Sequence, residues 1–156
     1  MAVAVSPLTE PGPLSRPERR LAWLLRFFAL LFAVGAVAFL LRPDDTVANL
    51  DRVGALVRLP TLVSTRMAVV SDFWLPLAVA NMATIAACAW FAASDVRRRR
   101  ALVYPIIVSK LASSATGILL FVRWAHAFPF LAVALVDLPI AMILVSALRR
   151  APVARA

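Results

Sequence analysis

Three residues in this chain have the chemistry of a site and stand where such chemistry is costly: Asn81, Lys110 and Asp137, each inside a long apolar run. A charge held in hydrocarbon costs at least ~2.5 kcal/mol, so ionisable groups there face protein or water and pair with one another. Lys110 is the only lysine in a chain that otherwise uses arginine. An ammonium can give up its proton when desolvated, and a guanidinium effectively cannot. A Lys–Asp pair beside an amide could therefore relay a proton, hold a cation or bind a polar or anionic ligand. It could also do no more than fix two helices against each other. Pro139, two residues past Asp137, leaves the carbonyl of Leu135 without its helical partner and adds an acceptor near the carboxylate.

Other reactive side chains are few. His126 is the lone histidine, and nothing near it in sequence completes a His/Cys/Glu ligand set. The single Cys88 excludes an internal disulfide and any CxxC motif. A Gly-rich phosphate loop, a Ser-His-Asp set and paired carboxylates are all missing. The expectation is no catalytic residue, no metal and no cofactor.

The elements that carry these residues must be membrane helices. The chain is 63% hydrophobic and 16% charged, against roughly 45–50% and 25% in soluble domains. A soluble fold of 156 residues could not hide that much apolar surface. Four runs, Leu21–Leu41, Phe73–Ala93, Leu102–Val122 and Phe128–Leu148, each have the roughly 20 residues needed to cross ~30 Å of hydrocarbon as a helix. Strands with open edges would leave backbone groups unpaired in lipid. The predicted fold is all-α, a polytopic membrane four-helix bundle.

Depth then suggests who meets whom. At ~1.5 Å per residue, Lys110 lies roughly 12 Å from the end of its span, Asp137 about 16 Å and Asn81 about 18 Å. Only Arg123–Ala127 joins the third and fourth spans, making them antiparallel neighbours. A Lys110–Asp137 ion pair near the midplane follows, with Asn81 as a third member. Ser109, Ser113 and Gly117 recur at spacing four in the third span, as do Ala80, Thr84 and Cys88 in the second. Such small-residue ridges let backbones approach closely and place the second and third spans at the tight centre of the bundle.

Outside the spans, residues 1–20 contain Pro7, Pro11, Pro13 and Pro17 and read as a disordered tail, with a second short tail at 150–156. The Ala36-Val37-Ala38 triplet resembles a signal-peptide cleavage site, but the apolar run continues through Phe39-Leu40-Leu41, which favours a retained span. Between Arg42 and Ser71, Asp45 or Thr46 can cap a short helix with Val47, Leu50, Val53 and Val57 on its apolar face and Asn49, Asp51 and Arg52 off it. That amphipathic helix would lie on the outer membrane surface or cap the bundle end.

The net charge of +9 follows the same logic. Arg16, Arg19, Arg20, Arg97–Arg100, Arg149, Arg150 and Arg155 fall on one side, and Arg42, Arg52, Arg58, Arg66 and Arg123 on the other. Ten against five places both termini in the cytoplasm. The basic groups then meet lipid headgroups, so membrane lipids are the expected partners and nucleic acid is not. Arginine and alanine usage points to a GC-rich bacterial genome and hence a bacterial cytoplasmic membrane.

The first span ending in Phe39-Leu40-Leu41-Arg42-Pro43-Asp44, the amphipathic outer segment and three closely spaced further spans resemble the DoxX-like small membrane proteins over residues 21–148. The resemblance implies a bundle in the cytoplasmic membrane, in some members associated with redox or quinone-linked partners. It transfers no catalytic motif to this chain. Small multidrug exporters share the size, but their first span carries an essential glutamate, and no acid occurs in Leu21–Leu41. A non-enzymatic subunit, partnered by other subunits or by itself, is the leading expectation. A transporter using Lys110, Asp137 and Asn81, or an enzyme acting on lipid or quinone, are the alternatives.

Overall fold

The computed structural model describes residues 12–62, 71–123 and 126–151, and of 71–73 the backbone alone. Five α-helices follow in order: α1 (Arg16–Leu41), α2 (Pro43–Leu56), α3 (Ser71–Ser94), α4 (Val103–Arg123) and α5 (Phe128–Arg150). A 3₁₀ turn, Arg100–Leu102, leads into α4. Among the described residues there is no strand. Helices α1, α3, α4 and α5 are long and apolar enough to cross a membrane. Their outward faces expose Leu30, Val34, Leu119, Leu135 and Met142, an apolar surface suited to lipid. The chain is a multi-pass helical membrane protein.

Helix α1 opens five residues before Leu21, inside the stretch that its prolines suggested was tail. The reason is a capping box: the Ser15 side chain accepts from the Glu18 amide, and the Glu18 carboxylate accepts from the Ser15 amide at 2.7 Å. Pro17 falls in the first turn, where a missing N–H costs nothing. Residues 1–11 and 152–156 lie outside the described residues.

Around the bundle the order is α1–α3–α4–α5, with α5 closing back onto α1. The broad interfaces are α1 with α3 and α4 with α5, while α3 and α4 touch lightly. The expectation of a tight centre between the second and third spans is thus corrected. Leu21, Leu25, Phe28 and Phe32 of α1 fill the core against Ile85 and Ala89 of α3, Ile106 of α4 and Leu144 of α5. Two glycines sit at close approaches between these four helices. A Cβ on Gly35 would reach only the Met82 Cε, at 2.5 Å, whereas one on Gly117 would stand 2.6 Å from the Phe130 backbone oxygen. Of the Ser109-Ser113-Gly117 ridge, Ser113 and Gly117 therefore face α5, while Ser109 meets Asn81 of α3.

Helix α2 caps the far end of the bundle. Its Gly54 lies against Phe128 at the start of α5, so close that a Cβ would sit 2.5 Å from the Phe128 Cβ. Both oxygens of buried Asp51 accept from the Leu62 amide, at 3.0 and 3.1 Å. Leu62 itself packs with Ala127, Val47 and Phe130. The expected apolar face is split by this docking: Val47 and Leu50 are half-buried, Val53 and Val57 are exposed, and Asp51 is inside. Nor do Asp45 or Thr46 cap it. The helix starts at Pro43, directly after α1, and the Thr46 hydroxyl donates to the Arg42 carbonyl.

The end of α2 is a Schellman motif, with the Leu59 amide bonding the Gly54 carbonyl and the Arg58 amide that of Ala55. Its left-handed position, which favours glycine, is held by Arg58 at φ 59°. Because a side chain there costs roughly 1 kcal/mol, Arg58→Gly is expected to stabilise the protein by up to ~1 kcal/mol. Denaturant titration in mixed micelles would check this; a destabilised variant would mean the arginine makes a compensating contact.

Candidate functional site

The intramembrane charges meet. Lys110 Nζ on α4 donates to Asp137 Oδ1 on α5 at 2.9 Å, and both residues are buried. The Ser113 hydroxyl, one turn along from Lys110, donates to the other carboxylate oxygen, Oδ2. On the opposite side, the Phe32 ring of α1 lies 4.6 Å from the ammonium, within cation–π range. Ser114 turns its hydroxyl back to the Lys110 carbonyl at 2.7 Å. Three helices therefore converge on one ion pair: α5 supplies the anion, α4 the cation and a hydroxyl, α1 an aromatic wall. Each carboxylate oxygen has a donor, which is the condition for an ion pair to persist in a medium of low dielectric.

Asn81 is not part of this cluster. Its side chain exchanges two hydrogen bonds of 3.3 Å with the Ser109 hydroxyl and is exposed on the outer side of the light α3/α4 contact. There an open crevice of about 670 Å³ is walled by Asn81, Ser109, Thr116 and Gly117, with Phe130 and Val133 of α5 at its edge. Ser113 also reaches this wall, so a single hydroxyl separates the crevice from the Asp137 carboxylate. Thr84 is exposed and donates to its own helix at Ala80, 2.8 Å away. Cys88 is a half-buried thiol packed against the core. His126 is exposed, its ring edge-on to Phe121. Trp124 lies outside the described residues. Among those residues, no three His, Cys, Asp or Glu side chains stand together as metal ligands would.

A second polar cluster was missed by sequence reasoning. At the end of the bundle where α1 begins and α5 ends, Arg97 makes a two-pronged contact with Glu18, at 2.7 and 3.0 Å, and donates to the carbonyls of Gly12 and Pro13. Arg100 donates to the carbonyls of Leu148 and Ala151, closing the C-terminal end of α5. Two arginines of the quartet thus clamp the helix ends, while Arg98 and Arg99 are exposed. The Ser15-x-x-Glu18 spacing was the available signal.

Glu18 precedes the apolar run of α1, outside the lipid-spanning stretch. The hydrogen bonds from Arg97, with help from the Ser15 amide, lower its carboxyl from the ordinary 4.5 to about 2, against the opposing effect of burial. A depressed pKa gives stabilisation that is complete above the unfolded value and lost as pH falls through the folded one. The stability difference between the protein and Glu18→Gln should therefore be constant from neutral pH to about 4.5 and shrink between 4.5 and 2. Thermal melts in detergent across that range would show it; a gap that stays constant down to pH 2 would contradict the clasp.

No family model, curated protein or solved structure matches the chain.

Proposed function

We propose that the protein is a small non-enzymatic component of a bacterial cytoplasmic membrane, an accessory subunit of the DoxX-like kind, with both termini on the cytoplasmic side. The observation that carries this reading is the closure of its only buried intramembrane charges among the described residues. Asp137 is saturated by Lys110 and Ser113, and the ammonium is walled by Phe32. A carboxylate with both oxygens engaged is a poor general base and a poor free ligand, which also weighs against a lipid- or quinone-converting enzyme. The gathering of Arg19, Arg97–Arg100 and Arg149 around one end of the bundle supports the orientation. The crevice wall of Asn81, Ser109 and Thr116 supports a role in meeting another membrane helix, since polar groups exposed to lipid gain from interhelical hydrogen bonds.

One specific feature favours a second reading, a ligand- or proton-linked transporter: Ser113 joins the crevice to Asp137. Vesicles loaded with a pH-sensitive dye and given a pH step separate the two. The subunit reading expects the gradient to decay as in protein-free vesicles and Asp137→Asn to change nothing. Proton flux that requires Asp137 would replace it with the transporter.

A further inference from the structure

Between α1 and α5, at the end where α1 begins, an open groove of about 470 Å³ has a rim of Arg16, Arg20 and Arg150 and a floor of Leu24, Met142 and Ile143. Arg16 and Arg20 are one helical turn apart and share a face. Arg150, the last residue of α5, faces them across the groove. Unlike Arg97 and Arg100, these three exposed arginines make no ion pair or hydrogen bond among the described residues. Glu18, on the same helical turn as Arg16 and Arg20, is already taken by Arg97. Met142 and Ile143 are 63% and 44% exposed, so the floor is open along its length.

We propose that this groove is a specific site for one anionic phospholipid. Its phosphate is held by the guanidinium groups of Arg16, Arg20 and Arg150, and one acyl chain lies along Leu24, Met142 and Ile143. Charge complementarity selects the headgroup: guanidinium groups match phosphate oxygens with paired hydrogen bonds, and three of them gather here with no carboxylate among the described residues paired to them. Geometry selects the lipid over a free phosphate. The groove starts at the basic rim and runs along two membrane-crossing helices, so it passes from the headgroup level into hydrocarbon as a lipid does. A neutral lipid would fill the floor and leave the rim unanswered. A partner helix would need an acidic segment at one end only.

The test is titration of the purified full chain in detergent with a fluorescent phosphatidylglycerol. Phosphatidylcholine and glycerol 3-phosphate serve as competitors, and helicity is followed by circular dichroism. The expected result is saturable binding that phosphatidylcholine and glycerol 3-phosphate displace poorly. The triple variant Arg16→Gln/Arg20→Gln/Arg150→Gln should weaken binding by roughly tenfold or more, and Ala147→Trp, which fills the groove wall, should reduce it with all arginines present. Arg19→Gln/Arg149→Gln, which removes two arginines outside the groove, should leave it intact. Equal binding by the triple variant, or an equal loss in the Arg19/Arg149 variant, overturns the site in favour of diffuse charge. Full competition by glycerol 3-phosphate overturns the lipid in favour of a phosphate site. If Ala147→Trp breaks up an oligomer and leaves lipid bound, the groove belongs to a second copy and the proposal fails.

Discussion

Truncating Asp137 to alanine is expected to destabilise the protein by about 3–5 kcal/mol, the largest single-residue effect anticipated in this chain. The loss does not measure the strength of the pair. It arises because Lys110 is left buried, with an aromatic face but no anion. Lys110→Ala should cost a similar amount, by stranding the carboxylate with only Ser113. Removing both charges at once, as Lys110→Met/Asp137→Leu, should cost far less than the sum of the singles, because neither charge then needs a partner. Unfolding titrations in mixed micelles would yield the cycle. Additive single effects would mean that the two side chains do not interact in the bilayer.

The second large effect is expected at Gly117. In Gly117→Ala the new methyl would stand 2.6 Å from a backbone oxygen of α5. No rotamer relieves a Cβ, so α4 and α5 must separate, at about 1–3 kcal/mol. Lys110 lies two turns along the same helix, and that separation also loosens its bond to Asp137. Gly117→Val should be worse still. Gly35→Ala makes the useful contrast, because its new methyl meets only the tip of Met82, a flexible thioether that can turn aside. Alanine also recovers up to ~1 kcal/mol of helix propensity, which leaves that variant near neutral. If both alanine variants cost the same, the α4/α5 contact is not the one that backbone proximity defines.

The contrast between these two glycines shows what could be read from the chain and what could not. Four spans were legible because the solvent requirement is written in every residue: a run of twenty apolar side chains has few fates. Pairing of Lys110 with Asp137 was legible for a narrower reason. A short connection, 124–127, forces α4 and α5 together, and depth along each helix then brings the charges level. Asn81 shows the limit of that reasoning. Its depth was also suitable, but depth says nothing about azimuth, and α3 turns that side chain outward to Ser109. Which helices share broad interfaces depends on packing around the ring, so the dominance of α1/α3 and α4/α5 was not visible in ridges of small residues alone. Asp51 was placed off the apolar face, because its burial depends on an amide that periodicity does not reveal, that of Leu62, eleven residues on. The capping box of α1 was visible as Ser15-x-x-Glu18, yet the surrounding prolines masked it.

All of this depends on one contact deep within the bundle, and the composition makes that contact unusually easy to isolate. Because Lys110 is the only lysine, ¹⁵N-lysine labelling gives a single side-chain nitrogen, and ¹³C-aspartate labelling supplies its candidate partner. A solid-state dipolar-recoupling measurement in lipid bilayers should show that nitrogen strongly coupled to one aspartate carboxyl carbon, and Asp137→Asn should remove the coupled aspartate signal. A lysine nitrogen with no carboxyl carbon in range would contradict the account.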